Sequence, residues 1–330
     1  MRVCVIIPAW NAERTLARAL ASVQAQSHGD LEIIVVDDGS SDGTLALARA
    51  IAADDRRITV LTQANAGVAA ARNAALARTE APLTAWLDAD DIWHPAKIAR
   101  QIATCRAAPE APSLVYTGYR LIDADDRIIP NFRTLADVSG HTLCRQIATN
   151  FFGNVSSVMA PTELARRFGG HDPRLRAWGI EGAEDLLLQL QLAAIGPVAC
   201  CREALVGYRM HPHNMSHGHA RAARSNLRAV DMAAAAAGDV PGWVVRLGRA
   251  RTAGYALHML RAGDTGDALA LLGRLMRRQP VYTLLTLALI AQWQLRAALN
   301  PAAGADPETG RPFAEADPAT VPWRGAMILS

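Results

Sequence analysis

Asp88, Asp90 and Asp91 place three carboxylates within four residues, immediately after the apolar run at residues 83–87. A buried strand ending there would carry a dense negative charge at its mouth. Such a cluster is stable when solvated, hydrogen-bonded or bound to a hard cation such as Mg²⁺ or Mn²⁺. On these residues alone two readings stand, a metal site or an acidic turn capping the next helix. Glu184 and Asp185 form a second acidic pair, at the start of a helical stripe with Leu187, Leu188 and Leu190. Carboxylates there can accept a proton in catalysis or simply complement the helix dipole. His211, His213, His217 and His219 suggest zinc, but their spacing fits no zinc signature and no cysteine is near. A solvated loop accounts for His213, His217 and His219.

The elements that must position these groups are legible in the apolar pattern. Residues 3–7, 31–36, 58–61 and 83–87 are short apolar runs that read as buried parallel strands. Helical stripes at 13–26, 44–53 and 68–77 separate them. Strands alternating with helices predict an α/β fold, a mostly parallel sheet flanked by helices, with ligands bound beyond the carboxyl ends of its strands. The polar clusters at 8–11, 37–42, 65–67 and 88–91 each follow a strand and should converge on one rim.

Further on, the spacing predicts a helix at 95–106 and a hairpin at 114–121 and 127–129, with Asp125 and Asp126 in a solvated turn. A strand at 151–161 should lead to a helix at 162–168, followed by a helix at 184–195 and a strand at 197–201. From His219 alanine and arginine dominate, and helices are expected at 220–237, 243–261, 265–278 and 281–299. The expected organisation is a domain at 1–218, an α-helical C-terminal region at 219–300 and a disordered tail at 301–330, rich in Pro, Gly, Asp and Ala.

Composition narrows the classes. Of 330 residues, 51% are hydrophobic and 20% charged, which describes a globular chain. A formal charge of +3 is too small to argue for nucleic acid. The five cysteines are odd in number and form no CxxC pair, which suits a reducing cytosol. The first apolar run stops at Pro8, too short for a secretory leader. Residues 281–291, the most apolar stretch, are too few for a membrane span and read as a buried or interfacial helix. The expectation is a cytoplasmic protein without a transmembrane span, one that can touch the inner face of a membrane.

Several ordered motifs carry a family resemblance. Val5-Ile6-Ile7-Pro8-Ala9-Trp10-Asn11, then Val36-Asp37-Asp38-Gly39-Ser40-Ser41-Asp42-Gly43-Thr44, resemble the opening of family 2 glycosyltransferases. Asn65-Ala66-Gly67, Arg72-Asn73, Leu87-Asp88-Ala89-Asp90-Asp91, Glu184-Asp185 and Tyr208-Arg209-Met210-His211 continue the match in order. The resemblance covers about residues 3–217 and implies a GT-A fold, a nucleoside diphosphate sugar donor, Mn²⁺ or Mg²⁺, and inversion at the anomeric carbon. It implies Asp90 as direct metal ligand, with Asp88 beside it on metal or ribose, His211 adding a contact, and Asp91 structural. Pro8, Ala9, Trp10, Asn11, Asp38, Asn65, Gly67, Arg72 and Asn73 would contact the donor, Asp38 by accepting from uracil N3–H. Two alternatives stay open, an Asx-turn role for Asp38 and a pairing of Arg72 with a rim carboxylate. Asp185 is the favoured general base, with Glu181 and Glu184 in reserve. The Gln-x-x-Arg-Trp signature of processive members is missing after Asp185. The expected activity is therefore transfer of one sugar to a hydroxyl of a glycan, lipid-linked or other cell-envelope acceptor. The competing readings are a catalytically silent nucleotide-sugar-binding module and another nucleotide-sugar enzyme. A nucleotidyltransferase or dehydrogenase would want a glycine-rich phosphate loop, which residues 8–13 do not supply.

Overall fold

The structure, a computed structural model, describes residues 1–130, 135–211, 218–299, 306–320 and 323–324, with backbone alone at 135, 136, 296, 297, 323 and 324. The chain opens as strand–helix units: β1 (Val3–Ala9), α1 (Leu16–Gln24), β2 (Leu31–Asp37), α2 (Thr44–Asp54), β3 (Ile58–Thr62), α3 (Val68–Arg78) and β4 (Leu83–Trp86). It continues through β5 (Ile92–Trp93), α4 (Lys97–Ala107), β6 (Leu114–Ile122), β7 (Leu135–Ala136) and α5 (Leu143–Thr149). Then come β8 (Val158–Pro161), α6 (Thr162–Arg167), α7 (Arg174–Ala177), α8 (Glu184–Ile195) and β9 (Val198–Arg209). Five helices follow: α9 (His219–Ala237), α10 (Gly242–Arg251), α11 (Ala253–Ala262), α12 (Thr265–Arg278) and α13 (Pro280–Leu299). A short β10 (Trp323–Arg324) pairs with β7.

The main sheet runs β3-β2-β1-β4-β8-β6-β9-β5. Its first four strands are parallel, whereas β8 pairs antiparallel with both β4 and β6. The chain moves outward from β1 to β3 and then returns to the other side of β1 with β4. That reversal makes the carboxyl ends of β1 and β4 a topological switch point, where α/β sheets leave a crevice for ligands.

Period-2 alternation explains why this sheet is buried on both faces. Val3, Val5 and Ile7 of β1 pack with α1 and α4 on one side, while Cys4 and Ile6 pack with α3 and α8 on the other. Helix α8 is apolar around most of its circumference because it too is covered twice. Leu188 and Leu192 meet the sheet, and Leu186, Leu187 and Leu190 meet α9 and α10. The helical region is thus packed against the helix whose first residues are Glu184 and Asp185.

Two expectations are corrected here. The helix expected at 243–261 is two helices, because the chain turns at buried Thr252 between α10 and α11. The tail expected to be disordered is packed at residues 306–320: Phe313 is 1% exposed among Ile92, Ile122 and Ile128. Arg120 Nε donates to Asp306 Oδ2 at 2.8 Å, and its guanidinium also reaches Asp317 O and Thr320 Oγ1. Composition hid this because one aromatic and one acid suffice when their partners lie far away in sequence. Asp306→Ala is expected to cost about 3–5 kcal/mol, since it leaves a buried guanidinium without its counter-charge. Urea unfolding checks this; an unchanged midpoint would show the contact to be idle.

Candidate functional site

The loops after β1, β2 and β3 are laced together by side chain to backbone bonds. Asn11 adopts φ 49°, its backbone N–H donates to Ser40 Oγ, and its Oδ1 accepts from Ser41 N–H at 2.9 Å. Glu13 accepts from Gly43 N–H, and Asp42 caps the turn into α2 through Thr44. Pro8 and Ala9 end β1 opposite Val36 and Asp37. Trp10 stands 59% exposed beside them, an aromatic face available for stacking.

Asp38 is 3% exposed and accepts from Gln63 Nε2, Ala66 N–H and Gly67 N–H at 2.7–2.9 Å. Three of a carboxylate's roughly four acceptor positions are therefore taken by the third loop. The turn-holding alternative describes its observed contacts. Asn65 Nδ2 donates to Asp38 O, and Asn65 Oδ1 accepts from Arg176. Gly67 has φ +93°, and a Cβ there would meet Arg176 at 2.5 Å. That combination demands glycine. Asn73 holds both backbone groups of His171, at 2.7 and 2.8 Å. Asn65 and Asn73 thus anchor the chain at residues 171–182 to the rim.

At the end of β4 the three carboxylates each bring an oxygen to within 4.8 Å of the others. Their surroundings differ. Asp91, 1% exposed, accepts from Ser156 Oγ at 2.6 Å and Arg209 N–H at 3.0 Å, so it holds the loop. Asp88 Oδ1 lies 2.6 Å from Arg72 Nη2. Asp90 Oδ2 lies 2.9 Å from His211 Nε2, with both side chains about 30% exposed. Burial, then the Asp90 and Asp88 charges, pushes the Asp91 carboxyl well above its ordinary range. Asp88 is raised by burial first and by Asp90, with Arg72 opposing. Carboxylates crowded and raised in this way are returned to their charged form when a cation binds among them. Hard oxygens of Asp88 and Asp90 with the His211 imidazole could hold Mg²⁺ or Mn²⁺. His213 and His217 lie outside the described residues, and the His219 ring stacks on His258 at 5.0 Å.

The acidic pair on α8 divides just as clearly. Gly182, at φ +120°, donates its N–H to both oxygens of Glu184 at about 3 Å, and Glu184 is 3% exposed. Glu184 therefore fastens the turn into the helix. Asp185 is partly exposed and raised to about 6 by burial first, by Glu184 and Asp88 next, with Arg72 opposing. Arg72 is itself buried. Desolvation works against its charge, but Asp88, Asp185 and Glu184 more than compensate. This arginine couples the acidic cluster to the start of α8.

Several residues of the site carried no signal of their own. Ser156 bonds Asp91 and also accepts from Asp88 N–H. Arg209 donates to Asp90 O, Asp123 O and Asp126. Asp126, expected in a solvated turn, is thereby drawn into ion pairs with Arg209 and Arg18. Arg209 stands within a quoted motif, but nothing local to Ser156 announces its contact with residues 65 positions away.

Comparison with known proteins bears on the family and the fold. The pattern of the family described as Glycosyl transferase family 2 matches residues 4–138. An uncharacterized glycosyltransferase of Nostoc sp., alr2836, is 30% identical over 244 residues, 71% of this chain and 72% of its own. Other curated relatives are matched over 19–64% of their own length. S. aureus TarS residues 1–349 in complex with UDP superposes with TM-score 0.54 at 17% identity, covering 85% of this chain and 92% of that one. A mannosyltransferase from Pyrobaculum calidifontis, PcManGT, solved with GDP-Man and Mn²⁺, gives TM-score 0.52 at 20% identity, with 90% and 86% covered. The GT-A architecture expected from the motifs is the one found, and the chain is a glycosyltransferase belonging to family 2.

Proposed function

We propose that this enzyme moves one sugar, with inversion, from a nucleoside diphosphate sugar to a hydroxyl of a glycan, lipid-linked or other cell-envelope acceptor, using Mn²⁺ or Mg²⁺. The observation that carries the reading is the junction at the β1–β4 switch point. There Arg72 couples the Asp88–Asp90–His211 cluster to Asp185, a carboxyl poised near 6. The complexes of TarS with UDP and of PcManGT with GDP-Man and Mn²⁺ support a nucleotide donor and a divalent ion here as well. UDP remains the favoured nucleotide, with Trp10 rather than Asp38 supplying the open surface for the base.

In this reading Asp90 and Asp88 hold the cation, with His211 beside Asp90. When bound, it supplies Lewis-acid stabilisation of charge on the departing diphosphate. Asp185 accepts the proton of the acceptor hydroxyl, whose oxygen attacks the anomeric carbon from the side opposite the diphosphate. One displacement inverts the centre. Arg72 keeps Asp185 ionised and Asp88 in place, and Glu184 fixes the helix start. Residues 1–218 would be the transferring domain and 219–300 an appendage facing the acceptor or a membrane's inner face. Val281, Leu284 and Leu285 are exposed on α13, and no helix among the described residues is long and apolar enough to cross a membrane.

A panel of UDP-, GDP- and dTDP-sugars, assayed for nucleotide release with Mn²⁺ and with chelator, tests the proposal. Release from one donor that chelator suppresses is expected. Absence of metal-dependent binding or turnover across the panel would refute it.

A further inference from the structure

A cavity of about 270 Å³ lies between α9, α10 and α12, away from the acidic cluster. Arg224 and Arg228, one turn apart on α9, line it together with Arg274 and Arg278, one turn apart on α12. Arg249 of α10 completes the wall and holds Asp231, the one carboxylate among the lining residues, at 2.7 Å. Among the described residues the other four arginines make no ion pair. Guanidinium groups stay charged at any physiological pH, and with all four exposed the wall presents concentrated positive charge to an incoming anion.

Two details indicate a built site. The Arg228 guanidinium is braced 4.8 Å over the Trp178 ring. Gln279 lines the cavity at 3% exposure, yet its Nε2 has no hydrogen-bond partner among the described residues. A buried amide donor left unmet is costly, and an oxyanion in the cavity would satisfy it.

We infer that this cavity binds a phosphate or diphosphate ester. One carboxylate would be met by a single guanidinium fork. Four unpaired forks and an amide donor call for the several oxygens of a phosphoryl group. The location bears on transfer, a point that rests on the function proposed above. Ile180 of the cavity wall belongs to the loop that leads through Gly182 to Asp185. Gln279 is followed at once by α13, where Val281 is 71% and Leu284 56% exposed. An ester bearing an apolar chain could therefore lie with its phosphate in the cavity and its chain along α13, on the acceptor side of the enzyme.

The test is calorimetric titration of the full chain with inorganic pyrophosphate in the presence of chelator, when the acidic cluster has no cation to attract it. Wild type should bind. The double variant Arg274→Ala/Arg278→Ala should bind on the order of tenfold or more weakly, as expected for loss of charge-assisted contacts. Both side chains are exposed and the buried Leu271 and Leu275 of the same helix remain, so the fold should be kept. Unchanged UDP binding with Mn²⁺ would confirm that in the variant. Vesicles of phosphatidylglycerol and of phosphatidylcholine identify the source. Binding to the anionic vesicles alone, lost in the variant and displaced by pyrophosphate, assigns a membrane headgroup. Pyrophosphate binding without vesicle binding assigns a soluble or acceptor-borne ester. A wild type that ignores pyrophosphate, or a double variant that binds it equally, would overturn the site. Neither result depends on turnover, so the donor assay stands or falls separately.

Discussion

Asp90→Ala is expected to abolish metal-dependent donor binding and to lower transfer on the order of 10²–10³-fold or more, the range for losing a preorganised electrostatic element. The reason is specific to this residue. Asp91 is engaged by Ser156 and Arg209, and Asp88 by Arg72, whereas the Asp90 carboxylate meets His211, itself a potential ligand. Removing Asp90 takes an oxygen from the proposed cation site and little packing. Asp91→Ala should behave differently, lowering the unfolding midpoint because it strands Ser156 Oγ and the Arg209 N–H. Titrating Mn²⁺-dependent UDP binding in both variants separates ligand from scaffold. Equal donor affinity in Asp90→Ala and wild type would remove the metal assignment.

Asp185→Asn is expected to retain donor binding and to lose transfer by about 10²–10⁴-fold, the usual contribution of a general base. The pH dependence follows from its environment. A base must be ionised, so with a carboxyl raised to about 6 the transfer rate should fall as pH drops below that value. Stability runs the other way. The folded pKa lies above the ordinary 3.8, so the contribution of this group to stability is fully present below the ordinary value and lost as pH rises through about 6. At neutral pH the asparagine variant should therefore unfold at a higher temperature than wild type, as expected where a carboxylate is held against its ordinary ionisation. Arg72→Met should shift the rate profile to higher pH, since Arg72 opposes the effect of burial on Asp185. A profile flat between pH 5 and 7, about one unit either side of the value burial sets, would count against Asp185 as the base.

Much of the frame was legible early. The apolar runs that became β1 to β4 are continuous because both faces of the sheet are covered, and the polar residues after them mark the rim without any long-range information. The helix start at Glu184 was equally readable, since the apolar stripe begins there at once. The breaks were less so. Thr252 interrupts a helical pattern whose nearby glycines, Gly248 and Gly254, lie inside α10 and α11 rather than at the break, because packing of both helices on α9 and α13 sets the angle. Residues 306–320 look like a solvated tail until Arg120, far away in sequence, is seen to need Asp306.

What the sequence determined by itself is the alternating strand–loop order, and with it the rim on which the carboxylates gather. Those are local properties of apolar periodicity and turn residues. What each carboxylate is free to do was decided only by tertiary structure. Asp38 is occupied by the third loop, Asp91 by Ser156 and Arg209, and Glu184 by Gly182, while Asp90 and Asp185 are left with accessible oxygens. Carboxylates differ here because hydrogen-bond donors brought from 2 to 118 residues away meet some of them and not others. The arginine-lined cavity has the same origin. Arginines scattered over α9, α10 and α12 become one cationic wall when the helices pack.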